Sequence, residues 1–213
     1  MDKQTYIELF SKTRIDSYTS IDEHEKNFQI LDKIASKLAR IEIILRNRID
    51  RAMNNLDKNW LFHLPSTICL NDNEGKIKEH NTLISKQTFG FWVKVVEYYE
   101  IYDCLFEKDF LESFFFKKYS QFNKEKVAKQ HLYSWQKAYI ILTLLKNMRN
   151  RAFHFENLFK LNHGKPRLNT FVDFKNGYVI AGVEPSKINE LLDDVLVGFN
   201  AGFKNKSGEE SPL

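Results

Sequence analysis

Leu31-Asp32-Lys33-Ile34-Ala35-Ser36-Lys37-Leu38-Ala39-Arg40-Ile41-Glu42-Ile43-Ile44-Leu45 places Leu31, Ile34, Leu38, Ile41 and Leu45 at steps of three and four. That spacing lays one apolar stripe along a 3.6-residue helix. Working outward, the pattern holds over residues 22–55, with Ala52 on the same stripe, and predicts one long helix. Residues 91–106 repeat it through Phe91, Val95, Tyr98, Tyr102 and Leu105. A third long helix is predicted over about 127–159, with Ala138, Ile141, Leu145, Met148, Ala152, Phe155 and Phe159 as its stripe. Only 8 Gly and 4 Pro occur in 213 residues, so helix-breaking punctuation is scarce. The expected fold class is an all-α helical bundle.

One segment departs from this period. Phe171-Val172-Asp173-Phe174 and Tyr178-Val179-Ile180 flank Lys175-Asn176-Gly177, and an Asn-Gly between two β-prone runs signals a hairpin. A hairpin near 170–183, inserted over about 166–184, is expected to be the only sheet. Residues 64–88, broken by Pro65 and the Asn71–Gly75 cluster, read as a loop with at most short helices. Pro185 and Ser186 open a last helix running to about Phe203. The organisation expected is a single domain over 1–203 and a polar, disordered tail over 204–213.

Composition bounds the function. Apolar residues make up 43% and charged residues 28%, the balance of an ordinary folded protein. The net charge of +4 permits a nucleic-acid partner without demanding one. Cys69 and Cys104 stand alone and fit no metal-ligand spacing, which reads as two reduced thiols. No apolar run is long enough to span a membrane and no signal-type segment opens the chain, so the expected location is the cytoplasm. His24, His63, His80, His131 and His163 show no zinc spacing, and no glycine-rich phosphate loop is present. Neither metal nor cofactor is expected.

The residues that carry chemistry lie at Arg149-Asn150-Arg151-Ala152-Phe153-His154-Phe155-Glu156. An arginine, an amide and a histidine within six residues suit work on a phosphodiester: arginine grips phosphate through a planar donor fork, and histidine moves a proton near neutral pH. On the predicted helix His154 faces away from the apolar stripe, in line with Asn150, Asn147 and Thr143. That polar but uncharged line suits an inter-subunit contact or a substrate groove; a plain solvated face is the alternative. Arg149 either curls round the helix towards a phosphate held by His154, or pairs with Glu156. The triplet Arg-Asn-Arg also occurs at 46–48, where Arg51 takes the place of the histidine. Glu42 and Arg46 are spaced as an intrahelical ion pair. Lys117-Lys118 and Lys124-Glu125-Lys126 lie among aromatics, an arrangement read either as core rings with solvated lysines or as an RNA contact.

Several of these stretches resemble a known family in order. Arg14-Ile15-Asp16-Ser17-Tyr18 looks like an opening Arg-x-x-x-Tyr. Asn27, then Glu42-Ile43-Ile44-Leu45-Arg46-Asn47 with Trp60 after it, is similar to a Glu-x-x-Leu-Arg-Asn helix. Thr88-Phe89-Gly90-Phe91-Trp92 resembles Ser-Phe-Gly-Phe-Trp, and Arg149–Glu156 resembles Arg-Asn-Arg-x-x-His-His-Glu. The pattern is that of the Abi-like abortive-infection proteins of the AbiD and AbiF kind, within the HEPN ribonucleases, and it covers roughly residues 10–160. Two departures stand out: Phe155 occupies the place where a second histidine is common, and Phe153 and Asn157 stand where smaller or proline residues are usual. The resemblance implies a HEPN-like helical bundle and a toxin-type, metal-independent endoribonuclease in phage defence. In that reading Arg149, Asn150 and His154 are catalytic, and Arg151, Arg46 and Asn47 bind substrate. The partners implied are an RNA substrate, a small-RNA antitoxin and a second copy of the chain in a homodimer. A non-catalytic RNA- or nucleotide-binding module is the rival expectation.

Overall fold

The structure, a computed structural model, describes residues 3–72, 79–127, 131–175 and 177–199. It is mostly helical, with a small antiparallel sheet. In chain order the elements are α1 (Lys3–Phe10), α2 (Lys12–Ile15), α3 (Ile21–Leu56), α4 (His80–Lys86), α5 (Phe89–Tyr99), α6 (Lys108–Ser113), β1 (Lys124–Val127), α7 (Ser134–Phe153), β2 (Leu161–Asn162), β3 (Lys165–Pro166), β4 (Asn169–Phe174), β5 (Gly177–Gly182) and α8 (Ile188–Phe199). The chain divides into two compact units built from alternating segments. The first comprises 1–38, 115–132 and 143–192; the second comprises 39–114, 133–142 and 193–213.

The helix predicted over 22–55 is α3. Its stripe is buried through Leu31, Ile34, Leu38, Ile41 and Leu45, and it continues through Ile49 and Met53 rather than Ala52. The helix expected over 91–106 stops at Tyr99, because Glu100 takes up the left-handed conformation (φ 53°) and turns the chain. Tyr98, within α5, is exposed rather than part of the buried stripe. The helix expected over 127–159 occupies only Ser134–Phe153. The Gln136 side chain accepts the Tyr133 N–H at 3.0 Å, which closes the start of α7 in the manner of a capping box. Residues 124–127, ahead of it, are a strand. Phe155 and Phe159 fall beyond the end of α7, and Phe155 is half exposed.

The expected hairpin is present as β4 and β5, with Phe171 opposite Ile180 and Val172 opposite Val179. It is not the only sheet. β1 pairs antiparallel with β5, Lys124 opposite Ile180 and Lys126 opposite Tyr178, which gives the strand order β1-β5-β4. A further two-residue ladder joins β2 and β3. The signal for β1 is hidden because Lys124-Glu125-Lys126 carries charge where strand formers are usual. The turn residue Asn176, and the tail expected to be disordered, lie outside the described residues, as does the end of the last helix beyond Phe199.

In the first unit, α1 is pinned to α3 by an aromatic cage around His24, which is 1% exposed. The rings of Tyr6, Phe10, Tyr18 and Phe28 stand 4.8–5.5 Å from the imidazole. The Tyr6 hydroxyl donates to Glu25, so its 2.9 Å contact with His24 Nδ1 assigns the proton there to the histidine. Burial holds the imidazole below its ordinary titration range, and burial beside Glu25 pushes Tyr6 up to about 12. The sheet joins this unit through Asn123, whose amide donates to Phe116 and Gly182 and accepts the Gly182 N–H.

The second unit has two ties of its own. Asp50 accepts from the buried Trp60 indole at 3.0 Å and lies 2.7 Å from His80 Nε2, which locks the tryptophan among Phe91 and Trp92. Arg48 reaches the carbonyls of Cys104, Leu105 and Phe199, so that a guanidinium gathers the chain before α6 and the end of α8. Gly198 is required there, since a β-carbon would come within 2.5 Å of the Phe110 ring.

Candidate functional site at the end of the seventh helix

His154 ends α7. Its N–H still bonds to the Asn150 carbonyl at 3.0 Å, but Phe155 turns into the left-handed region at φ 53°. The Phe155 N–H then bonds to Ala152 O and the Glu156 N–H to Arg151 O. This pair of bonds is the Schellman closure of a helix, with His154 as its C-cap and Phe155 where glycine is usual. A bulky residue in that conformation costs about 1–2 kcal/mol. Phe155→Gly is therefore expected to be more stable than Phe155→Ala by about 1 kcal/mol in chemical denaturation, the reverse of the usual helix order. Equal stabilities would count against strain at this turn.

What holds the turn comes from far along the sequence. Arg14 donates to Phe155 O at 2.6 Å. Asn27, 1% exposed, donates to Glu156 O at 3.2 Å and accepts the Leu158 N–H at 2.9 Å. Asn157 donates to Ser17 O and to Glu23, and its own carbonyl oxygen accepts the Phe159 N–H. The residues Arg14 and Asn27 of the motif pattern thus act as backbone clamps. Asn27→Ala leaves a buried N–H and a carbonyl without partners, and is expected to lower stability by about 2–4 kcal/mol. Thermal melting checks this; a loss below 1 kcal/mol would mean that the clamp is dispensable.

The clamped segment forms the wall of an open cleft of about 310 Å³, lined by Ser11, Thr13, Arg14, Ser17, His154, Phe155, Glu156, Asn157 and Arg167. It carries an imidazole, two guanidinium groups and three hydroxyls. Ser17 Oγ already donates to Arg14 O, Arg14 to Phe155 O, and Arg167 pairs with Glu156, leaving the remaining guanidinium N–H groups and the His154 ring as donors. Glu156 is its one carboxylate, and it is engaged by Arg151 at 2.7 Å and Arg167 at 3.2 Å. The cleft thus offers donors to an anion, and its acid is already compensated. Arg167, between β3 and β4, had no local signal in the sequence: it reaches the cleft because β2 and β3 fold the chain back.

The expected site residues are distributed as follows. His154 and Asn150 are exposed at the end of α7. Arg149 is half-buried, with its guanidinium 5.1 Å from the centre of the Phe153 ring, and it is not among the residues lining the cleft. Glu156, its alternative partner in the sequence, is the acceptor of Arg151 and Arg167. Arg151, expected to bind substrate, is thereby tied into an ion pair. Arg46 and Asn47 lie on the part of α3 that belongs to the second unit, Asn47 exposed and Arg46 with its Nε buried and without a hydrogen-bond partner among the described residues.

The polar line from 143 to 154 is only partly open. Asn147 donates to Asn169 O at 3.1 Å, so β4 covers the middle of the line, leaving Asn150 and His154 exposed. Cys104 carries no comparable chemistry, since burial pushes its thiol up to about 11 and its Sγ donates to Ile101 O. Among the described residues no group of three or more His, Cys, Asp or Glu could hold a metal ion, and no helix is long and apolar enough to cross a membrane. No protein-family model matches the chain, and no curated protein or solved structure is significantly similar to it.

Proposed function

We propose that the chain is a HEPN-type endoribonuclease of the abortive-infection kind, acting in the cytoplasm on RNA without a metal. The observation that supports this best is the exposed His154 at the closed end of α7, on a cleft wall that it shares with Arg14 and Arg167. The reaction is an attack of the RNA 2′-hydroxyl on the adjacent phosphorus. His154 takes the hydroxyl proton or gives one to the departing 5′-oxygen, Arg149 stabilises charge developing on the phosphoryl oxygens, and Asn150 orients the imidazole or an oxygen. The products are a 2′,3′-cyclic phosphate and a free 5′-hydroxyl. Arg151, Arg46 and Asn47 remain the proposed substrate contacts, with Arg151 reaching RNA only by loosening from Glu156.

One histidine supplies one proton-transfer group, and this chemistry uses two. A homodimer provides the second His154 by two-fold symmetry. Support comes from Phe153 and Phe155, 47% and 50% exposed on either side of His154, beside a mostly apolar groove lined also by Leu31, Ala35, Ala152 and one acid, Asp32. These rings now replace the upper part of the 143–154 line as the proposed contact. A small RNA is the proposed antitoxin.

The test is expression in a bacterial host combined with cleavage by the purified chain in EDTA. Growth arrest and EDTA-resistant cleavage are expected, with a dimer in analytical ultracentrifugation. Cleavage abolished by EDTA would end the metal-free mechanism, and cleavage by a strict monomer would end the paired-histidine one. A second reading, a module that binds RNA without cutting it, is favoured by the position of Arg149 off the cleft wall; salt-sensitive RNA binding without cleavage would establish it.

A further inference from the structure

The exposed face of the three-stranded sheet is not used by the proposed chemistry. Residues directly opposite one another in an antiparallel sheet project to the same side. The register therefore sets two rows on one face: Lys126, Tyr178 and Asp173, then Lys124, Ile180 and Phe171. The other face carries the buried Val172 and Val179, which secure the sheet to its unit. On the open face Phe171 is 61% exposed, and its ring lies 5.6 Å from that of Tyr178 at 31°. Lys126 Nζ stands 5.9 Å from the centre of the Tyr178 ring. Lys124 and Lys126 are both exposed along the β1 edge, about 6.6 Å apart on the same side of the strand. Asp173, the one acid in the two rows, sits on the opposite edge, on β4.

From this arrangement we propose that the sheet face is a docking surface for single-stranded RNA. The open Phe171 ring, backed by the half-buried Tyr178, gives bases a stacking platform, and the lysine edge beside them follows the phosphates. Lysines on an edge strand also discourage pairing between sheets, but that role does not call for an exposed phenylalanine, Phe171, packed beside a half-buried tyrosine next to them. A protein partner would need a carboxylate placed opposite each of the two ammonium groups, whereas any stretch of a polyphosphate chain neutralises both. The choice of RNA over DNA rests on the ribonuclease reading; the stacking and the charge do not. The surface supplies grip along the strand, separate from the cleft at His154.

The experiment measures fluorescence anisotropy of a labelled 12-nucleotide single-stranded RNA against the full chain carrying His154→Ala, which prevents cleavage, in parallel with cleavage by the chain with His154 intact. Phe171→Ala is expected to weaken binding by about 5- to 150-fold, and Phe171→Trp to retain it. Lys124→Gln with Lys126→Gln is expected to flatten the logarithmic salt slope by about 1.4. Phe171 is exposed, so its variants are expected to melt with the parent. His154-dependent cleavage with unchanged affinity in Phe171→Ala would overturn the sheet proposal and leave the ribonuclease reading standing. Binding that depends on Phe171 without any cleavage would support the sheet and end the reading of His154. Loss of self-association in Phe171→Ala with RNA affinity intact would assign the face to a second copy and overturn the proposal, as would the absence of RNA binding altogether.

Discussion

Replacing His154 by alanine is expected to lower RNA cleavage by about 10²–10⁴-fold, the worth of a positioned general acid or base. The variant is expected to fold as the parent does. His154 is exposed, its backbone N–H bond to Asn150 does not depend on the side chain, and among the described residues its imidazole makes no hydrogen bond whose loss would be felt. Melting temperature and cleavage rate, measured on the same preparation, separate chemistry from stability. The growth arrest caused by expression should vanish with the cleavage. Undiminished cleavage in His154→Ala would remove the ribonuclease assignment from this site.

Arg149→Ala is expected to lower cleavage by about 10²–10³-fold, the loss of one donor aimed at developing charge. The structure makes this the more demanding test. Arg149 is half-buried over Phe153, whereas Arg14 and Arg167 share the cleft with His154. If Arg149 acts on the transition state, kcat falls with little change in KM. If the two cleft arginines hold the phosphate, Arg167→Ala raises KM, and Arg149→Ala behaves nearly as the parent does. A fall in melting temperature in Arg149→Ala, with activity recovered at lower temperature, would assign the residue to packing at the end of α7.

The long stripes were legible because burial enforces periodicity. Leu31 to Leu45 in α3, and Ala138 to Met148 in α7, are buried at the spacing that their sequence declares. The helix ends were not legible, and for one reason at both places. α5 and α7 are each turned by a non-glycine residue in the left-handed region, Glu100 and Phe155, where sequence reading looks for glycine or proline. β1 was missed because a short edge strand can be charged on both faces. Of the site, the exposure of Asn150 and His154 followed from helical geometry alone. Arg167 arrives through the two-residue β2–β3 ladder, too short to announce itself, and the use of Arg14 and Asn27 as clamps on the 155–158 backbone depends on pairings more than a hundred residues apart, which no local pattern encodes.

Those clamps also place the site in time. Asn27 must wait for Glu156, 129 residues later, before its hydrogen bond can form. At ribosomal rates of about 5–20 residues per second, the N-terminal half spends on the order of ten seconds outside the tunnel before the histidine turn exists. A nascent chain that has not yet reached Glu156 lacks the clamped turn that carries His154. For a chain whose proposed substrate is RNA, the order of synthesis is itself a safeguard.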